Sequence, residues 1–153
     1  YKPKIDDRFS KTEITTHSGM VSLSAVTVET GKDMIGHLIQ IENLEAKNTT
    51  VVVDEVFMIS GVSDELIWLY RNGFSILVSS LDMSSGLVPF EEVTKIMPWT
   101  TRVEKCTAVC NVCKQPAHYT YRKPGADQDE ILVGGVETYE ARCSICHPLF
   151  RIK

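Results

Sequence analysis

The 153 residues contain no apolar run of the length needed to cross a bilayer and no stretch laid out like a signal peptide. They also lack an excess of positive charge. Sixteen Lys and Arg face 20 Asp and Glu, for a formal net charge of -4. No basic stripe is visible, which argues against direct nucleic-acid binding. Membrane association is not expected either, and the default compartment is the cytoplasm. There is no internal repeat and no low-complexity tract. No initiator Met opens the chain; it begins Tyr1-Lys2-Pro3-Lys4-Ile5, which reads like the end of a β-strand in a longer sequence. Cysteine is missing from the first 105 residues, and all five cysteines fall between Cys106 and Cys146. What is present, 43% hydrophobic and 24% charged residues, suits one ordinary domain with a real core, or one domain plus a small appendage.

The stretch from Asp6 to Gly19 is polar and without periodicity, and predicts a loop. Val21, Leu23, Val26 and Val28 alternate in part, as in a short strand. Met34, Ile35, Leu38 and Ile39 fall at helical spacing between Asp33 and Glu42. The β-branched run Thr49-Thr50-Val51-Val52-Val53 predicts a strand buried on both faces, as in a parallel sheet. Ser63 to Asn72 predicts a helix: Ser63 offers a cap, Asp64 and Glu65 suit the positive end, and Asn72-Gly73 supplies a stop. Phe74 to Ser80 is then a second strand, giving a βαβ unit with an expected right-handed crossover. A further helix is expected between Pro89 and Trp99. Beyond about residue 103 the texture changes to short extended pieces and Gly-rich turns. We place a boundary there, with an α/β layer over residues 1–104 and a small β subdomain over 105–153.

That subdomain carries two Cys-x-x-Cys pairs, Cys110 with Cys113 and Cys143 with Cys146. Such a knuckle turns the backbone so that both thiolates face one point, and two knuckles complete a tetrahedral zinc site. Four thiolates leave no open coordination position, so a zinc ion here organises structure. Redox pairs are the competing reading. Cys106 is left over and is expected to pack as a small apolar group; His147 is a weaker substitute for Cys146 as a ligand.

Asp54-Glu55 sits at the C-terminal tip of the Val51–Val53 run, where open α/β sheets bind ligands. In nucleotide-binding folds an Asp there holds magnesium and a neighbouring Glu can take a proton. Exposed acidic residues after a strand are also commonplace. Arg8, in Asp6-Asp7-Arg8, suits phosphate contacts, although a lone arginine in a loop is usually only solvated. His17 reads first as a loop-packing histidine. Phe57, Phe90, Tyr119, Tyr121 and Tyr139 could line a flat pocket for a base or belong to the core.

In order along the chain, these features resemble the type II thymidine kinases, which join a P-loop nucleotide-binding domain to a zinc-bound lasso. The matching segments are Asp6-Asp7-Arg8-Phe9 with Thr16-His17-Ser18-Gly19, Val53-Asp54-Glu55, and Leu81-Asp82 with Pro89-Phe90. The most specific stretch is Thr107-Ala108-Val109-Cys110, then Cys113, Ala117, Thr120, Arg122, Gly134-Gly135, Tyr139, Cys143 and Cys146. The resemblance implies a parallel-sheet, P-loop NTPase-like (RecA-like) domain with a zinc-ribbon subdomain. It implies ATP-dependent phosphorylation of the 5'-hydroxyl of thymidine, with deoxyuridine as second substrate. Glu55 would be the general base; Asp54, with Asp6 nearby, would hold Mg2+, and Arg8 would stabilise the phosphates. Met58, Leu81, Phe90, Thr120, Gly135 and Tyr139 would surround the nucleoside, over which the lasso would close. The family further implies a homotetramer and feedback binding of thymidine triphosphate.

The chain departs from the family in three places. The Gly-rich phosphate loop ending in Gly-Lys-Ser/Thr, with the strand before it, does not occur, and the sequence reads as a chain whose N-terminal region precedes Tyr1. Were these residues the whole protein, no kinase activity would be expected. Phe57 stands where the family has Gln, and Ser85 where it has an aromatic residue. These departures motivate an alternative, a non-catalytic zinc-ribbon binding module.

Overall fold

A computed structural model describes residues 1–6, 10–15, 20–125 and 133–150. The chain divides into two compact units: residues 1–82 with 91–100, and residues 83–90 with 101–153.

In the first unit, β1 (Lys2–Pro3) pairs in parallel with β4 (Thr27–Val28), and β5 (Thr50–Val53) in parallel with β6 (Ser75–Val78). The Asp54 N–H donates to the Tyr1 carbonyl at 2.9 Å, and the Tyr1 nitrogen to the Val52 carbonyl at 2.6 Å. These bonds set β1 beside β5, so the strands run in the order β4-β1-β5-β6. Helix α1 (Gly31–Leu38) follows β4, and α2 (Val62–Arg71) joins β5 to β6. The unit is therefore mixed α/β with short parallel pairings, and the expected strand–helix–strand rhythm is present.

Its core is built from one face of each element. Met34 and Leu38 of α1, Val62, Leu66 and Leu69 of α2, and Val51 and Val53 of β5 form a single apolar cluster with Val28, Val56 and Ile59. The helical residues recur every three or four positions, which is the spacing of one helix face. Gly31 is buried at the closest approach of α1 to α2, where a Cβ would lie 2.6 Å from the Gly61 carbonyl oxygen. The expectation that β5 is covered on both faces is not met. Val51 and Val53 are buried, but Val52 is 42% exposed and Leu77 of β6 61%. A strand's side chains alternate between faces, and the helices pack on only one of them.

Two further expectations are corrected. The segment 6–19 is not wholly a loop: β2 (Glu13–Thr15) pairs antiparallel with β3 (Ser22–Ser24), placing Ile14 opposite Leu23. The Val21–Val28 run is not one strand. It changes partner at Ala25, which donates to Thr12, and Val26, which accepts from Lys2. The helix expected between Pro89 and Trp99 is present as α3 (Glu91–Ile96), which runs into a 3-10 turn at Met97–Trp99 and closes at Pro98.

The second unit is two antiparallel hairpins. One pairs β7 (Ala108–Val109) with β8 (Pro116–Ala117); the other pairs β9 (Tyr119–Arg122) with β10 (Tyr139–Arg142). Asn111 donates to the Ala141 carbonyl at 2.9 Å, which ties the first hairpin to β10.

Candidate functional site

The cysteine knuckles form the most definite constellation. Cys110 and Cys113 lie at the tip of the β7–β8 hairpin. Cys110 N–H donates to Gln115, and Lys114 returns an N–H to Cys110 with a left-handed φ of 62°. Cys143 and Cys146 form the matching turn after β10, with the Cys146 and His147 N–H groups both donating to the Cys143 carbonyl. The four Sγ atoms lie within 4.8 Å of one another, and Cys113 and Cys143 are 3.6 Å apart. A tetrahedral zinc with bonds of about 2.3 Å needs sulfurs roughly 3.8 Å apart, whereas a disulfide needs about 2.05 Å. The quartet therefore fits a zinc ion in both donor type and spacing.

The electrostatics point the same way. N–H groups, first that of Cys113, lower the Cys110 thiol to about 6. At Cys143 burial opposes ionisation, but the Cys146 N–H and the neighbouring thiols outweigh it, so its pKa is lowered too. Cys146 is pushed up to about 12 by its hydrogen bond with Cys113, then by burial and the charge on Cys110. Without a cation the cluster cannot hold all four negative charges; a divalent ion supplies the missing compensation.

The residues around the quartet are packed to support it. His147 is fully buried and is not part of the sulfur cluster. Its ring lies 3.2 Å from the Thr120 carbonyl through Nε2, and the rings of Tyr119, Tyr121 and Phe150 surround it. The Arg142 guanidinium lies 4.8 Å from the Tyr121 ring centre, pairs with Glu140 and donates to the Cys146 carbonyl at 3.3 Å. That arginine, first by hydrogen bonding, holds the Glu140 carboxyl below its ordinary value. Cys106 is exposed, contrary to the expectation that it packs as an apolar group: it lies in an exposed stretch before β7 that belongs to neither hairpin.

In the same unit Phe90 is buried, Thr120 and Tyr139 are half-buried, and Arg122 stacks over Tyr139 at 5.6 Å. Gly135 accepts N–H bonds from Thr138 and Tyr139, while its own N–H is taken by the Glu137 carboxylate.

In the first unit three acidic residues follow neighbouring strands at the same edge. Because β1, β5 and β6 run parallel, Asp6 after β1, Asp54-Glu55 after β5 and Ser79 after β6 all lie at the carboxyl ends of adjacent strands. Asp6 is 8% exposed, and Asp54 and Glu55 are half-buried. The Ser79 hydroxyl donates to Asp54 Oδ1. The Phe57 N–H donates to Ser80 Oγ at 3.3 Å, and the Phe57 ring is buried. Glu55 adopts φ 50° and ψ 49°, the left-handed region, which costs a non-glycine residue about 1 kcal/mol or more. This conformation turns the chain sharply from β5 into the 3-10 turn Val56–Met58. Met58 is half-buried there, and Leu81 beyond β6 is exposed. A magnesium ion would suit the carboxylates of Asp54 and Asp6 in donor type. Arg8 and the Thr16–Gly19 segment lie outside the described residues.

One functional arrangement escaped the sequence reading. Ser63 does not cap α2: its hydroxyl is buried and has no hydrogen-bond partner among the described residues. The helix starts instead at Gly61, with φ 66°, and the Glu92 carboxylate accepts from Gly61 N–H and Ser63 N–H, both at 2.8 Å. A cap arriving from 29 residues away leaves no local signal. By contrast, the Thr30–Asp33 capping box of α1 is a local Thr-x-x-Asp pattern and was there to be read.

Compared with known protein families, residues 1–147 match the model described as thymidine kinase. It therefore spans both the acidic strand edge and the four cysteines.

Proposed function

Because this chain belongs to the thymidine kinase family, we propose that it serves ATP- and Mg2+-dependent phosphorylation of the 5'-hydroxyl of thymidine, and of deoxyuridine, in nucleotide salvage. The observation that carries this reading is the extent of the family match, from the first strand to the last knuckle. It is supported by the placement of Asp6, Asp54 and Glu55 after the carboxyl ends of adjacent parallel strands, the edge at which such sheets bind ligands.

In this reading Glu55 is the general base. The nucleoside 5'-oxygen bonds to the γ-phosphorus, the bond from that phosphorus to the bridging oxygen breaks, and the hydroxyl proton passes to the Glu55 carboxylate. Phosphoryl transfer asks mainly for positioning and charge neutralisation. Asp54, oriented by Ser79, and Asp6 are the residues that would hold Mg2+; when bound, the ion offsets negative charge on the phosphates. Arg8 is assigned to the phosphates. Met58, Leu81, Phe90, Thr120, Gly135 and Tyr139 are assigned to the nucleoside. The cysteine quartet holds a structural Zn2+ at the base of the nucleoside-covering segment. A homotetramer, feedback inhibition by thymidine triphosphate and a cytoplasmic location belong to the same reading.

The test is thymidine phosphorylation by the full-length gene product. Glu55→Gln should lower kcat by about 10²–10⁴-fold, the usual contribution of a general base. Undiminished activity in that variant would overturn the assignment of Glu55. A zinc-loaded wild-type protein without any phosphorylating activity would instead favour the non-catalytic binding module.

A further inference from the structure

We propose that Glu92 is a positioning residue for the turn that carries Glu55 and Met58, acting through the start of α2. The inference rests on the function proposed above. Glu55 occupies a left-handed backbone conformation, and such a conformation persists only where the surroundings over-determine it. On one side the turn is held by β6: Ser79 donates to Asp54, the Ser79 carbonyl accepts from Val56 N–H, and Ser80 Oγ accepts from Phe57 N–H. On the other side the chain runs through fully buried Ile59 to Gly61 and Ser63, both of which donate to Glu92.

The clamp is suited to this role by its chemistry. Gly61 has no side chain with which to cap α2, and the Ser63 hydroxyl does not do so. The first N–H groups of a helix are left without backbone partners and carry its positive end. The Glu92 carboxylate gives each of the two N–H groups its own charged oxygen, Oε1 to Gly61 and Oε2 to Ser63, whereas an amide would offer a single neutral carbonyl oxygen. Glu92 sits in the first turn of α3, and α3 also packs against the Val56–Met58 turn. One helix therefore covers the turn and grips the segment just after it. Releasing the grip frees Gly61, whose φ of 66° is held by no side chain, and slackens the turn from its C-terminal side.

The experiment compares Glu92→Ala and Glu92→Gln with wild type in the full-length protein, measuring KM for thymidine, KM for ATP, kcat and zinc content. Loss of two charge-assisted hydrogen bonds should raise the thymidine KM of Glu92→Ala roughly tenfold, with ATP KM and zinc content unchanged. Glu92→Gln keeps one acceptor and should fall between, at roughly threefold. A merely structural role would lower the folded fraction only, leaving both the thymidine KM and the kcat per folded, zinc-loaded molecule unchanged. A thymidine KM equal to that of wild type in folded, zinc-loaded Glu92→Ala would overturn the proposal. If the alanine variant does not fold, an unchanged thymidine KM in Glu92→Gln does so. Absence of thymidine phosphorylation in the wild-type protein would be a failure of the proposed function instead.

Discussion

The two units keep their shape by different means. The first buries Met34, Val53, Val56, Ile59, Val62, Leu66 and Leu69 in one continuous cluster supplied by two helices and the parallel strands. In the second, the apolar cluster contains Cys110, Ala117 and Cys143, with Ala141 and Cys146 packed against it. Beside it, His147 is caged by aromatic rings. Among the described residues this cluster is far smaller than that of the first unit, and so small a cluster does little to offset the conformational entropy of ordering the chain around it. A cross-linking ion is the usual remedy for small units of this kind. The contrast is between a unit organised around an apolar cluster and one organised around four cysteines whose donor type and spacing fit a zinc ion.

Metal removal is the largest blow to that comparison. The protein should hold about one zinc per chain, and structural zinc contributes on the order of 10–16 kcal/mol to folding in small zinc-binding peptides. Chelation, or Cys143→Ser, should therefore abolish amide-exchange protection in β9 and β10 and weaken thymidine binding. The amides of β5 and α2 should keep theirs. Protection of β9 and β10 that survives chelation would mean that the aromatic cage around His147, not the ion, holds the second unit.

The complementary test is Met34→Ala. Met34 is fully buried at the centre of the first cluster, and truncating such a side chain costs about 2–5 kcal/mol. Urea denaturation followed by Trp68 and Trp99 fluorescence should show the midpoint of the first unit falling while zinc affinity is unchanged. A parallel loss of zinc affinity would show that the two units do not stand apart energetically.

How much of this was legible in the sequence follows from the range of the interactions. The quartet was readable because each Cys-x-x-Cys turn is local and only the pairing of two turns is distant. The strand–helix–strand order and the Asn72-Gly73 stop were readable for the same reason: Gly73 takes φ 89°, as a helix terminator should. The burial of Val52 was misjudged because a run of valines does not say which face of the strand is covered. The β2–β3 pairing was missed because three-residue strands carry almost no periodicity. At the acidic edge, the spacing of Asp54 and Glu55 pointed to a strand tip, but the left-handed turn at Glu55 and its bracing by Ser79, Ser80 and Glu92 arise from contacts 23 to 31 residues apart in the chain. Side chains at that separation leave no pattern in a single sequence.

The smallest test concerns local against remote restraint inside the first unit, where α1 and α2 begin in opposite ways. At α1 the Thr30 hydroxyl accepts from the Asp33 N–H at 3.2 Å, and the Asp33 carboxylate accepts the Thr30 N–H at 2.9 Å. At α2 the cap comes from Glu92. Thr30→Ala removes the hydroxyl acceptor and should cost about 1 kcal/mol in urea denaturation, with Thr30→Ser restoring most of it. The loss should stay that small because the start of α1 is fixed independently. The Gly31 N–H donates to the Ser60 carbonyl at 2.9 Å, Ser60 returns an N–H to Glu29 at 3.3 Å, and Gly31 is wedged against Gly61 and Val62. A loss as large as that of Met34→Ala would show that the capping box, rather than burial, holds α1 in place. The first unit would then depend, like the second, on a few polar groups at chosen points, and the contrast between the two would narrow to the kind of group used.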